Sequence, residues 1–72
     1  MTGNKVYIGN LYLRASKNQI RDLLARFGNV KNVEYVEGSG YAYVEMDTEE
    51  EAERARIALD GTEFLERVIR VK

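Results

Sequence analysis

Three of the five tyrosines in this 72-residue chain stand where neighbouring residues alternate between apolar and polar types. Tyr7 lies between Val6 and Ile8, and Tyr41 and Tyr43 are interleaved with Ala42, Val44 and Met46. A phenol held at a surface offers a flat π face and one hydroxyl, so its chemistry is stacking and hydrogen bonding. Residues that make and break bonds are scarce by comparison. With no His and no Cys, the commonest general base, the best nucleophile, the usual zinc ligands and disulfides are all missing. Carboxylates remain, but no loop joins an oxyanion cradle to a catalytic base. The pattern predicts binding rather than catalysis, with no cofactor and no metal.

The rings can act together only if strands hold them on one side. Lys5-Val6-Tyr7-Ile8-Gly9-Asn10 has a period of two, which predicts a strand with Val6 and Ile8 inward and Tyr7 outward. Tyr41 to Met46 repeats the pattern, with Ala42, Val44 and Met46 inward and Tyr41, Tyr43 and Glu45 outward. It pairs as a hairpin with the β-prone stretch Val30 to Val36 across Gly38-Ser39-Gly40. Val33 and Tyr35 are expected inward and Glu34 outward. Ser16-Lys17-Asn18-Gln19 is a capping box, and Ile20, Leu23, Leu24 and Phe27 follow at helical spacing before Gly28, predicting a helix over 16–27. Thr48-Glu49-Glu50-Glu51 is a second box, with Ala52, Ala55 and Leu59 inward and Gly61 closing. Arg67 to Lys72 reads as a last strand with Ile69 and Val71 inward, and Phe27 and Phe64 as core. The order is β-α-β-β-α-β, an α+β, ferredoxin-like split βαβ sheet with two helices on one face and the other face open. The first and third strands are its central pair, so Tyr7, Tyr41 and Tyr43 share one open patch. Flat rings there are platforms for unpaired bases, each worth about 1–3 kcal/mol by substitution.

Composition fits this frame. A content of 44% hydrophobic and 32% charged residues is that of a globular chain, and 72 residues make one domain at most. Residues 1–4 are expected as a loose start and 5–72 as the domain. No apolar run approaches the ~18–20 residues of a membrane span. The default expectation is an intracellular monomer. Net charge is −1, unusual for a phosphate binder. Setting aside Asp47, Glu49, Glu50, Glu51 and Glu53 from the 12 acidic residues leaves seven against 11 basic ones, so the remainder is cationic. That acidic run offers the second helix to a basic protein partner, although the helix dipole and cap account for it unaided. Arg21, Arg26, Arg54 and Arg56 are read as solvated helix faces, and Tyr12 as loop packing.

Val6-Tyr7-Ile8-Gly9-Asn10-Leu11 resembles the hexamer motif of the RNA recognition motif family, and Ser39-Gly40-Tyr41-Ala42-Tyr43-Val44-Glu45-Met46 resembles its octamer. With Leu59-Asp60-Gly61 and Arg67-Val68-Ile69-Arg70-Val71, the resemblance runs from Lys5 to Lys72. It implies a single-stranded RNA site, with single-stranded DNA as a related ligand. Tyr7 and Tyr43 would each stack on a base, and Tyr41 would lie against the sugar between them. Lys5, Asn10, Arg70 and Lys72 complete the implied contacts.

Departures from the family pattern predict weak binding. Ser39 stands where the octamer usually has Lys or Arg, the loop Glu37-Gly38-Ser39-Gly40 carries no basic residue, and Glu34 and Glu45 face the phosphates. Two stacks give ~2–6 kcal/mol, short of the ~8 kcal/mol of micromolar affinity, so micromolar or weaker is expected. The same acidity and Ser39 leave open a protein-interaction domain on this fold. A chain without Pro, Cys, His or Trp also suits an engineered or simplified sequence.

Overall fold

The structure, a computed structural model, describes residues 3–72. Alternation decides the strands. In β1 (Lys5–Gly9), Val6 and Ile8 are buried while Lys5 and Tyr7 face outward; in β3 (Ala42–Met46), Ala42, Val44 and Met46 are buried while Tyr43 is exposed. β2 (Val30–Tyr35) runs antiparallel to β3 with Glu34 opposite Tyr43 and Tyr35 opposite Ala42. An irregularity between Val30 and Asn32 inserts Lys31 into the ladder as a bulge. The four-stranded sheet has the order β2-β3-β1-β6, where β6 is Arg70–Val71.

Both helices begin at the boxes read from the sequence. At α1 (Lys17–Ala25) the Gln19 N–H donates to Ser16 Oγ at 3.1 Å, and the Ser16 N–H donates to Gln19 Oε1 at 2.8 Å. At α2 (Glu49–Leu59) the reciprocal bonds between Thr48 and Glu51 are both 3.2 Å. Each box satisfies two backbone donors that a helix start leaves without partners. Ile20, Leu23 and Leu24 from α1 and Ala52, Ala55 and Leu59 from α2 cover the inner face of the sheet; the small alanines let α2 approach it closely. The largest fully buried side chains are Ile8, Leu11, Ile20, Leu24, Met46, Ile69, Val6, Val33 and Val44. At about 1.5–3 kcal/mol for each buried aliphatic chain, this layer drives folding and leaves the opposite face free of structural duty.

Several expectations need correction. α1 ends at Ala25 with Arg26 as its cap, and the Phe27 N–H turns back to Leu24 O at 3.0 Å. Phe27 therefore packs half-buried at the core margin, as does Phe64. The last strand is divided. The Ile69 N–H donates to Thr62 O and its carbonyl accepts from the Gly61 N–H, both at 2.9 Å, so the chain at Ile69 pairs with the exit of α2 rather than with β1. Before it, β4 (Glu63–Phe64) and β5 (Arg67–Val68) form a separate small hairpin whose turn residues Leu65 and Glu66 have φ of 51° and 68°.

Of the expected loose start, Met1 and Thr2 lie outside the described residues, while Gly3 and Asn4 are fastened. The Met46 N–H donates to Asn4 O at 2.8 Å, and Arg56 Nη2 donates to the carbonyls of Gly3 at 2.6 Å and Lys5 at 3.0 Å. Arg56 is thus a clasp between α2 and the start of β1 instead of a solvated side chain. No helix among the described residues is long and apolar enough to cross a membrane.

Candidate nucleic-acid interface

The open face is built outward from the pairing of the two central strands. Tyr7 and Tyr43 are Cα partners across β1 and β3, which places their rings side by side with centroids 5.3 Å apart and planes at 54°. Tyr41 enters from just before β3, 6.3 Å from Tyr7 at 30° and 6.1 Å from Tyr43 at 82°. Such offset and edge-on arrangements suit the quadrupoles of the rings, so the cluster orders itself before any ligand arrives. Tyr41 and Tyr43 remain 47% and 44% exposed, too open for core residues of this size.

Gly9 explains the posture of Tyr7. A Cβ built at Gly9 would stand 2.7 Å from Tyr7 Oη and 3.1 Å from two ring carbons, so the ring lies along the strand in space that only glycine leaves clear. At the other end, Gly40 at φ 83° lets the turn before Tyr41 come back to β1, where its carbonyl accepts from the Leu11 N–H at 2.8 Å. Ser39 Oγ donates to the Tyr41 carbonyl at 3.1 Å, which shapes this turn.

Cations flank the rings. Lys5, Tyr7, Tyr43 and Lys72 line an open depression of about 520 Å³. Lys72 is held there by its backbone: its N–H donates to Tyr7 O at 2.9 Å and its carbonyl accepts from the Tyr7 N–H at 2.8 Å. Lys5 reaches across β3, and its Nζ lies 4.0 Å from Glu34 Oε1. Glu45, the residue paired with Lys5 by register, is instead contacted by Asn4 Nδ2 at 3.4 Å.

The structure therefore brings together Tyr7, Tyr41, Tyr43, Lys5 and Lys72 among the residues singled out in the sequence. Asn10 and Arg70 have other engagements. Asn10, in the left-handed region at φ 60°, donates from Nδ2 to Val68 O at 2.7 Å and accepts from Arg67 Nη2 at Oδ1, an arrangement that locks β1 to the small hairpin. Arg70 Nε lies 3.5 Å from Asp60 Oδ1, at the edge of the sheet. Alternation along β2 assigns Glu34 to this face but does not show that it borders the tyrosines. The signal lay in the hairpin register, since pairing Tyr35 with Ala42 puts Glu34 opposite Tyr43.

Two flat rings beside two ammonium groups can accept stacked bases while neutralising the phosphates that join them. Comparison with known proteins agrees. The family model described as RNA recognition motif matches residues 6–70. The chain is 42% identical over 69 residues to RNA-binding protein 1 of Drosophila melanogaster, covering 94% of this chain and 48% of that protein, so it spans about half the relative's length. It is 35% identical over 72 residues to the putative RNA-binding protein RbpD of a Nostoc species, covering 92% of this chain and 77% of the relative. The crystal structure of RNA binding protein PG1 superposes with a TM-score of 0.89 at 31% identity, covering 94% of this chain and 89% of that one.

Proposed function

The chain belongs to the RNA recognition motif family, and from that premise we propose that it is a non-catalytic module for single-stranded RNA, one copy binding one strand on the open face of its sheet. Bases stack on Tyr7 and Tyr43, Tyr41 lies against the sugar between them, and Lys5 and Lys72 neutralise neighbouring phosphates. The observation that carries the reading is the exposed trio of tyrosine rings with centroids 5.3–6.3 Å apart, bordered by those two lysines. Single-stranded DNA shares the stacking and phosphate chemistry, so it binds by the same face unless 2′-hydroxyl contacts intervene. Affinity is micromolar or weaker, because two stacks at ~1–3 kcal/mol each are helped by few cations.

The test is an amide-shift NMR titration at low salt with short randomised single-stranded RNA, on the wild type and on Tyr7→Ala/Tyr43→Ala. Shifts are expected along β1 and β3 and are expected to vanish in the double variant. Silence at millimolar RNA from a folded protein would overturn the reading and redirect the search to protein partners of α2.

A further inference from the structure

On the side of the tyrosines away from Lys72, Tyr41 and Tyr43 border a smaller depression of about 200 Å³, with Glu34, Tyr35, Val36 and Ser39 as its other walls. Two of its polar groups already serve the fold. Ser39 Oγ donates to the Tyr41 carbonyl, and Tyr35 Oη donates to Ala15 O at 2.7 Å. The Glu34 carboxylate is different. Its side chain is 65% exposed, and its nearest cation, Lys5 Nζ, stands at 4.0 Å, too far for a hydrogen bond. Its backbone is directly opposite that of Tyr43, so the carboxylate stands at the rim of a ring on which a base would lie.

A carboxylate on an RNA-binding face repels phosphate and is useful only to a ligand that donates to it. It accepts hydrogen bonds and offers none. The Watson–Crick edge of guanine presents two adjacent donors, N1–H and N2–H, which match both carboxylate oxygens. Adenine and cytosine each present an amino group beside a ring nitrogen that accepts, so one oxygen gains and the other is repelled. Uracil presents one N–H between two carbonyls and fits worst. We propose that Glu34 is a base-discriminating residue, selecting guanine on Tyr43 and excluding uracil. The inference rests on the reading of this face as a single-stranded RNA site. It extends that reading from where a strand lies to which base is chosen.

The experiment uses four five-nucleotide RNAs, uridine throughout except for a central G, A, C or U, titrated into the wild type, Glu34→Gln, Glu45→Gln and Tyr43→Ala. A two-point hydrogen bond to a base edge is worth on the order of tenfold in discrimination. The central-G strand is therefore expected to bind wild type about tenfold more tightly than all-uridine RNA. In Glu34→Gln the amide supplies a donor beside an acceptor, so the ratio should fall to within about twofold. Glu45→Gln removes an equal charge from the same face and should tighten all four strands alike, preserving the ratio. A wild-type ratio near one, with binding still lost in Tyr43→Ala, overturns the role of Glu34 and leaves the RNA site standing. A guanine preference that survives Glu34→Gln also overturns it. Failure of every strand to bind removes the site and the inference together.

Discussion

A methyl group at Gly9 would come within 2.7 Å of Tyr7 Oη, closer than real Cβ contacts are found, and a tyrosine ring has no flexible end with which to yield. In Gly9→Ala the ring must swing off the strand and leave its place beside Tyr43. The variant is expected to fold, since alanine costs less chain entropy than glycine in a strand, yet to lose most of the ~1–3 kcal/mol that one stacked base contributes. Binding titrations of Gly9→Ala, Tyr7→Ala and the double variant check this: the two changes should not add. If Gly9→Ala weakens Tyr7→Ala further, the glycine acts on RNA directly. At this scale the sequence was legible where a period of two was enough, because alternation alone assigns Tyr7, Tyr41 and Tyr43 to the open face. It was illegible where a side chain's direction decides. Nothing in the composition shows Lys5 crossing β3 toward Glu34, or Asn10 turning at φ 60° to hold Val68 and Arg67.

Among the elements, the β4–β5 hairpin is under the most backbone strain. Its two turn residues, Leu65 and Glu66, both sit at positive φ, a conformation that matches the twist of a hairpin but normally falls to Asn and Gly. A side chain there costs roughly 1–2 kcal/mol, partly offset by the greater freedom glycine has when unfolded. Glu66→Gly should therefore stabilise the domain by about 1 kcal/mol. The check is a higher urea midpoint at unchanged slope, with Glu66→Ala giving no such gain. The helices were readable in advance because a capping box is a local device: donor, acceptor and spacing all lie within four residues. The divided last strand was not, because apolar alternation from Arg67 to Val71 is the same whether the backbone pairs with β1 or with Thr62 and Gly61. That choice is made by where α2 ends, and the bulge at Lys31 is likewise a matter of partner strands.

For the molecule as a whole, Glu34 and Glu45 put acidic charge on the tyrosine face, but the densest acidic run lies on α2. Glu49, Glu50 and Glu51 occupy the first turn of α2, on the helical side, where the dipole favours them. The tyrosine side keeps Lys5 and Lys72. With two phosphates neutralised, the affinity for single strands should fall with a log–log salt slope of about −1.4, or about sevenfold between 50 and 200 mM salt. Titrations across that range provide the measurement. A slope twice as steep would mean that Arg70 leaves Asp60 and Arg67 leaves Asn10, both to join the contact.

The two backbone bonds between Tyr7 and Lys72 fix position 72 at the margin of the aromatic patch. Because these 72 residues contain no cysteine, a single one inserted directly after Lys72 would be the sole thiol among them open to a maleimide dye. The fluorophore would sit beside the patch without replacing any of its residues. The hydrogen-bonded edge of the sheet thereby supplies a ready attachment point for an optical sensor of occupancy, one that leaves every tyrosine in place.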